Sequence, residues 1–277
     1  MHNDPPFAGV IGHPILHSQS PLIHGYWLKA YGLVGSYERF DIAPENLTDG
    51  ISALVDQGIR GFNVTLPHKQ AILPLCADIS SEAQAIGAVN TVVVREDGKL
   101  SGDNTDGYGF LQNLLESCPD FDFKVSSALV LGAGGAARAI LHSLKKSGVA
   151  HLYLCNRTRD HAEDLARIFG AQVVDWDDRE QVVRDVQLLV NTTSLGMVGQ
   201  PALDINIDAA CGDCVVYDIV YAPLYTDLLV RARSRGLKTV TGIGMLLHQA
   251  RPGFEQWFGI APQVTKELRE LLCRRSD

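Results

Sequence analysis

The sequence has no apolar run long enough to cross a bilayer. Its longest clean runs, such as Ala128–Leu131 and Val215–Tyr217, are strand-sized. The first residues, Met1-His2-Asn3-Asp4-Pro5-Pro6, carry neither a basic nor an apolar segment, so no secretory signal is expected. Cysteine is sparse and irregular. Six in 277 residues make no disulfide framework, and a reducing cytoplasm is the expected location. Positive charge is in deficit, 24 Lys+Arg against 32 Asp+Glu for a net charge of −8. That argues against nucleic acid or an anionic membrane as a partner, while a local basic pocket can still hold a small anion. The nine histidines include no His-Glu-x-x-His pair, and Cys211-Gly212-Asp213-Cys214 stands alone ahead of a strand, so no metal site is expected. Internal repeats and low-complexity linkers are also missing.

What remains is an ordinary globular composition, 46% hydrophobic and 20% charged, in a chain long enough for one large or two modest domains. Strand and helix signals alternate, which argues for an α/β fold with mostly parallel strands. Strands are expected at Phe7–Ile11, Ser36–Asp41 and Phe62–Thr65. A helix over Pro21–Tyr31 would start behind Ser20 as N-cap, and another over Asn46–Gln57 aligns Leu47, Ile51, Leu54 and Val55 on one face. Thr91–Val94 and Lys99–Ser101 read as a hairpin around Asp97-Gly98. The turn cluster Gly102-Asp103-Asn104-Thr105-Asp106-Gly107 marks a domain boundary. Beyond it six strands are expected, at Ala128–Leu131, His151–Cys155, Gln172–Val174, Leu188–Asn191, Val215–Asp218 and Lys238–Val240. Helices between most of them suggest a doubly wound sheet. After Thr241-Gly242 the pattern is helical, Met245–Phe258 and Val264–Cys273, with Pro252 expected to kink or break the first.

The sharpest local signal is a strand running into Gly132-Ala133-Gly134-Gly135-Ala136-Ala137 and then a helix. Glycines there permit a tight turn and close backbone approach to a pyrophosphate, which the helix N-terminus attracts. The next strand ends at Cys155-Asn156-Arg157-Thr158. A carboxylate at that place would accept ribose hydroxyls; here Asn156 and Arg157 stand instead. Arg attracts a 2′-phosphate that a carboxylate would repel, so NADP is expected over NAD, with Thr158 and Arg159 completing the clamp. The plainer alternative leaves Arg157 and Arg159 as solvated surface charges.

Lys69 is odd on its own terms. Pro67 reads as a helix N1 residue, which would put Lys69 in a first turn, where a cation opposes the helix dipole. Asp106 reads most simply as the N-cap of a helix over Gly107–Leu115. Ser18 and Ser20 can be caps, and Asn63 and Asn90 turn residues.

Taken together these clusters resemble the shikimate dehydrogenase family along almost the whole chain. The resemblance rests on Ser-x-Ser-Pro from Ser18, Asn-Val-Thr-x-Pro-x-Lys from Asn63, Gly-Ala-Val-Asn-Thr from Gly87 and Gly-Asp-Asn-Thr-Asp-Gly from Gly102. It continues through Gly-Ala-Gly-Gly-Ala from Gly132, Asn-Arg-Thr from Asn156, Asn-x-Thr-Ser from Asn191, Tyr-Asp-x-x-Tyr from Tyr217 and Gly-x-Gly-Met-(x)₃-Gln from Gly242.

The resemblance implies a substrate-binding and catalytic domain with a mixed sheet, residues 1–105 with 243–277, and a Rossmann-type NADP-binding domain, 106–242. It implies NADPH-dependent reduction of 3-dehydroshikimate by a monomer or homodimer. Ser18 and Ser20 would bind the substrate carboxylate, and Thr65, Asn90 and Gln249 its ring hydroxyls. Lys69 and Asp106 would be the catalytic pair at the C3 oxygen, with Tyr221 on the substrate side. Gly132, Ala133, Gly134, Gly135, Ala136, Asn156, Arg157, Thr158, Ile219 and Gly242 would face the cofactor. The family often has a further basic residue past Asn-Arg-Thr, where this chain has His161, with Arg159 earlier.

These residue types suit the chemistry. Reduction of a ketone needs a hydride at carbon and a proton at oxygen, and the developing alkoxide needs a cation or donor in place. Lys69 can supply charge and proton, and a carboxylate at Asp106 can keep it protonated and oriented. Two other readings stand beside this one: a non-enzymatic NADP-binding sensor, and a quinate or amino-shikimate dehydrogenase.

Overall fold

In the computed structural model, which describes residues 5–276, contacts divide the chain after Thr105. The first unit takes the residues up to Thr105 together with Gln249–Leu268; the second takes Asp106–His248 and the residues from Arg269 on. The elements of the first unit are β1 (Phe7–Gly12), α1 (Ser20–Ala30), β2 (Ser36–Asp41), α2 (Leu47–Asp56), β3 (Gly61–Val64), β4 (Cys76–Ile79), α3 (Ser81–Ile86), β5 (Thr91–Val94) and β6 (Leu100–Asp103). They build a mixed sheet in the order β2-β1-β3-β5-β6-β4. β1 is parallel to both neighbours, and Ile11 pairs with Phe40 on one side and Val64 on the other. β5 is antiparallel to β3 and β6. β1 is buried along nearly its whole length, as a central strand covered on both faces must be.

The second unit continues with α4 (Asp106–Ser117), β7 (Ser127–Leu131), α5 (Gly135–Lys146), β8 (His151–Cys155), α6 (Arg159–Phe169), β9 (Gln172–Val174), α7 (Arg179–Val183), β10 (Leu188–Asn191), β11 (Val215–Asp218), α8 (Asp227–Ser234) and β12 (Lys238–Val240), and it takes parts of α9 (Gly242–Phe258) and α10 (Lys266–Ser276). Its six strands are all parallel, in the order β12-β11-β10-β7-β8-β9. This is the doubly wound dinucleotide-binding order, reversing direction at β7. Alternation along β7 serves both faces: Val130 packs with Ile140, Leu144 and Tyr217, and Leu129 and Leu131 pack with Val183, Leu189 and Val216.

Several expectations need correction. No α-helix follows Pro67. His68 N–H donates to the Thr65 carbonyl at 2.9 Å and Ile72 N–H to the His68 carbonyl at 3.0 Å, so the segment is a string of turns. The buried His68 ring, Nε2 2.7 Å from the Ile42 carbonyl, pins it in that form. The dipole argument for Lys69 therefore lapses. Ser20 is not a cap: α1 begins at Ser20, behind Gln19, which makes no side-chain cap bond. Asp106 is already the first residue of α4. β4 carries no strand signal in sequence, being short and half exposed, and it exists through parallel pairing with β6. α9 does not break at Pro252: buried Ala250, Phe254 and Trp257 hold it on both sides of the missing N–H. The divisions at His248 and Leu268 fall inside α9 and α10. Residues 242–248 fall with the second unit because Met245 joins its core and Gly244 lies against Asn113, whose Oδ1 would be 1.7 Å from an added Cβ. Glu116 adds two ties, 2.9 Å to His248 Nε2 and 2.6 Å to Arg269 Nη2.

Candidate functional site

In the first unit, two loops leave the carboxyl ends of the neighbouring parallel strands β1 and β3. Thr65 N–H donates to the Ile11 carbonyl at 3.0 Å and His13 N–H to the Leu66 carbonyl at 3.0 Å, so the loops run side by side. The first carries Ser18 and Ser20. Arg39 donates from Nε at 3.0 Å and Nη2 at 2.6 Å to the Ser18 carbonyl, and the Ser20 N–H meets Ser18 Oγ at 3.3 Å. The second carries Thr65 and Lys69, both half-buried. The Lys69 carbonyl accepts the Val89 N–H at 2.8 Å, which fixes its backbone beside the residue preceding Asn90.

Asn90 is the hub of a buried polar cluster. Its Nδ2 donates to Gln249 Oε1 and to Thr105 Oγ1, each at 3.1 Å. Its Oδ1 accepts the Thr105 N–H and the Thr91 hydroxyl, each at 2.9 Å. Thr105 Oγ1 donates to the Gln249 carbonyl at 2.8 Å. Behind this layer, Tyr37 donates to Asn63 Oδ1 at 2.6 Å, and Asn63 Nδ2 reaches the Asn90 carbonyl and Thr91 Oγ1, each at 3.2 Å. His24 stacks flat on Tyr37 with centroids 3.8 Å apart, and burial pushes its pKa down to about 3, so the imidazole is neutral. Sequence reading missed Thr105 and Tyr37. Thr105 lay within a quoted motif, where its signal was masked by the neighbouring Asp106; Tyr37 had none, because an aromatic in a strand reads as core.

In the second unit, Gly132 directly follows β7 with φ +106°, a left-handed conformation that favours glycine. An added Cβ there would lie 2.6 Å from Thr192 Oγ1. Gly134 has open space on its Cβ side, and α5 starts at Gly135, so the first N–H groups of the helix have no intrahelical carbonyl. Asn156 Nδ2 donates to the Thr158 carbonyl at 2.8 Å, which shapes the turn after β8. Arg157 and Thr158 are exposed. Arg159 is held by Glu163 at 2.7 Å and by Asp175, whereas Arg157 has no ion-pair partner among the described residues. A dinucleotide with a 2′-phosphate fits this set: a cradle that a side chain would fill, a helix N-terminus, an available guanidinium, and no carboxylate at Asn156. Ile219 and Gly242 come together, since a Cβ on Gly242 would lie 2.2 Å from the Ile219 carbonyl oxygen. Tyr221 is half-buried, and burial raises its pKa. Asp106 is buried at the start of α4, directly after Thr105 in the chain. Among the described residues no helix is long and apolar enough to cross a membrane.

Three family models match: the shikimate dehydrogenase substrate binding domain over residues 10–92, shikimate/quinate 5-dehydrogenase over 114–198, and the shikimate 5′-dehydrogenase C-terminal domain over 242–272. A curated relative, the shikimate dehydrogenase (NADP(+)) of Paramagnetospirillum magneticum, is 51% identical over 95% of this chain and 96% of its own. Among solved structures, shikimate 5-dehydrogenase from Thermus thermophilus in complex with NADP(H) and shikimate is 38% identical with a TM-score of 0.87, covering 98% of this chain and 99% of that one. Quinate dehydrogenase from Corynebacterium glutamicum in complex with NAD is 33% identical with a TM-score of 0.88, covering 97% and 98%.

Proposed function

Because the chain belongs to the shikimate dehydrogenase family, we propose that it reversibly reduces 3-dehydroshikimate to shikimate with NADPH. The first unit is read as the substrate domain and the second as the cofactor domain. One observation carries the reading of the substrate side: Asn90 and Thr105, from the two ends of the β5–β6 hairpin, and the remote Gln249 converge in one hydrogen-bonded cluster whose flank is tied to the backbone of Lys69.

The nicotinamide, when bound, supplies the hydride. The remaining work falls to this chain. Ser18 and Ser20 donate hydroxyls to the substrate carboxylate, and Thr65, Asn90 and Gln249 orient the ring hydroxyls. Tyr221 lies against the substrate. The Lys69 ammonium and the Asp106 carboxyl divide charge stabilisation and proton transfer at the C3 oxygen, where alkoxide develops. Gly132–Ala136, Ile219 and Gly242 accommodate the dinucleotide backbone. Asn156, Arg157 and Thr158 receive the adenosine 2′-phosphate. Arg159, engaged by two carboxylates, braces that turn and adds less to the clamp than Arg157.

Mixing the protein with NADP and shikimate tests this directly. Absorbance of reduced nicotinamide should grow with time, and a flat trace with folded protein would refute the reading. The likeness to a quinate dehydrogenase gives a second candidate substrate. Comparing kcat/KM for shikimate and quinate decides between them, and shikimate is expected to lead because both Ser18 and Ser20 are present.

A further inference from the structure

Leu131, Asn191 and Asp218 are the last residues of three adjacent parallel strands, and they pair in register as one row. All three are fully buried. No cation pairs with the Asp218 carboxylate among the described residues. It accepts three neutral donors instead: Asn191 Nδ2 at 3.0 Å and the Val220 N–H at 3.0 Å on Oδ1, and the Thr226 hydroxyl at 2.6 Å on Oδ2. Burying a carboxylate without a counter-ion is costly, and the three donors offset only part of that. Burial still pushes its pKa up to about 6. A residue kept at such a disadvantage needs a local reason.

The donors show what it holds. Val220 and Thr226 belong to the loop that leaves β11. Asn191 ends β10, and its side chain shapes the loop that leaves β10. Its Oδ1 accepts the Thr193 N–H at 3.0 Å and the Thr193 hydroxyl at 2.7 Å, and its Nδ2 donates to the Leu195 carbonyl at 3.1 Å. Between them, Thr192 Oγ1 donates to the Leu131 carbonyl at 2.6 Å, just ahead of Gly132. A single carboxylate thus joins the loops after β10 and β11, while Thr192 separately ties the first of them to the end of β7.

In a sheet of this order the two halves of a dinucleotide lie outside the carboxyl ends of the strands, on either side of the reversal at β7. The Gly-rich turn and Arg157 account for the pyrophosphate and adenosine, which leaves the ends of β10 and β11 for the nicotinamide. We propose that Asp218 is a positioning residue for the cofactor: its carboxylate locks loops 191–198 and 219–226 in the arrangement that takes the nicotinamide half of NADP. The proposal rests on the cofactor reading given above. Asp218 itself is covered, so it acts through the loops and not by touching the cofactor.

Two probes separate the halves. NADPH reports on the whole site, and adenosine 2′,5′-bisphosphate reports on the adenosine side alone. Asp218→Ala should weaken NADPH binding about tenfold, from the unpartnered donors it leaves, while adenosine 2′,5′-bisphosphate binds as before. Asp218→Asn, which keeps the shape and an acceptor oxygen, should recover part of the loss. Thr226→Val removes one donor and should shift NADPH binding in the same direction; it decides the matter if Asp218→Ala does not fold. Folded variants that bind both probes as the wild type does, or that lose both equally, overturn the proposal. Wild-type protein that binds neither probe overturns the cofactor reading itself, and the proposal with it.

Discussion

Asn90 Nδ2 donates to Gln249 Oε1 at 3.1 Å, joining side chains 159 residues apart in sequence. The bond orients two amides that sequence patterning alone would file separately, one as a turn residue and one as a polar position in a helix. The Asn90 amide is satisfied within the cluster, whereas Gln249 Nε2 makes no hydrogen bond among the described residues and keeps its donors for a ligand.

Gln249→Ala should therefore act on the substrate and not on the cofactor. It removes one amide and leaves Asn90 short of a partner, so KM for shikimate should rise about 5- to 30-fold, the equivalent of roughly 1–2 kcal/mol. NADPH affinity, followed by nicotinamide fluorescence, should not move. Equal losses for both ligands would show that the cluster only supports the fold.

Lys69→Ala tests the chemistry. General acid–base assistance is worth about 10²–10⁴ in rate, and kcat should fall by that order while NADPH still binds. Near-normal turnover of 3-dehydroshikimate by this variant would remove Lys69 from the mechanism.

Arg157→Ala tests the cofactor preference. Loss of a charge-assisted contact worth about 1.5–3 kcal/mol should weaken NADPH binding roughly 10- to 150-fold and leave NADH binding almost untouched. The preference for NADPH in the wild type should also shrink at high salt, since Arg157 is exposed. Unchanged discrimination between the two cofactors would transfer the clamp to another residue.

Asp218 predicts a pH dependence of stability. Burial raises its folded-state pKa from 3.8 to about 6. The folded state thus binds the proton more tightly than the unfolded state does. The contribution to stability is fully present below pH 3.8 and is lost as pH rises through about 6. Relative to Asp218→Asn, the wild type should gain roughly 3 kcal/mol on going from neutral pH to the acid limit. Melting of the two proteins in parallel from neutral to acid pH measures the difference. A constant gap between them would mean that the carboxylate is not held as the structure shows.

Much of the second unit was legible in advance. Every strand from β7 to β12 stands where alternation placed it, because short apolar runs bounded by Gly, Asn and Asp leave few other options for a covered parallel strand. The Gly-rich turn was equally plain: Gly132 takes a positive φ that side chains resist. The first unit was harder. β4 is held by pairing with β6 and has no apolar pattern of its own. The segment after Pro67 looked helical from its local residues, yet the buried ring of His68 draws it into turns. Tyr37 gave no sign of a polar task, because the sequence does not show that its hydroxyl ends on Asn63.

The sequence by itself determined the alternation of elements, the dinucleotide turn, the absence of an acid at Asn156 and the motifs that mark the family. These depend on the conformational limits of glycine and proline, on side-chain charge, and on burial periodicity, all of which are local. Tertiary structure alone decided which polar groups satisfy one another: Asn90 with Thr105 and Gln249, and Asp218 with Asn191 and Thr226. A buried donor or acceptor must find a partner, and which partner it finds depends on strand order and register, which bring together residues far apart in the chain.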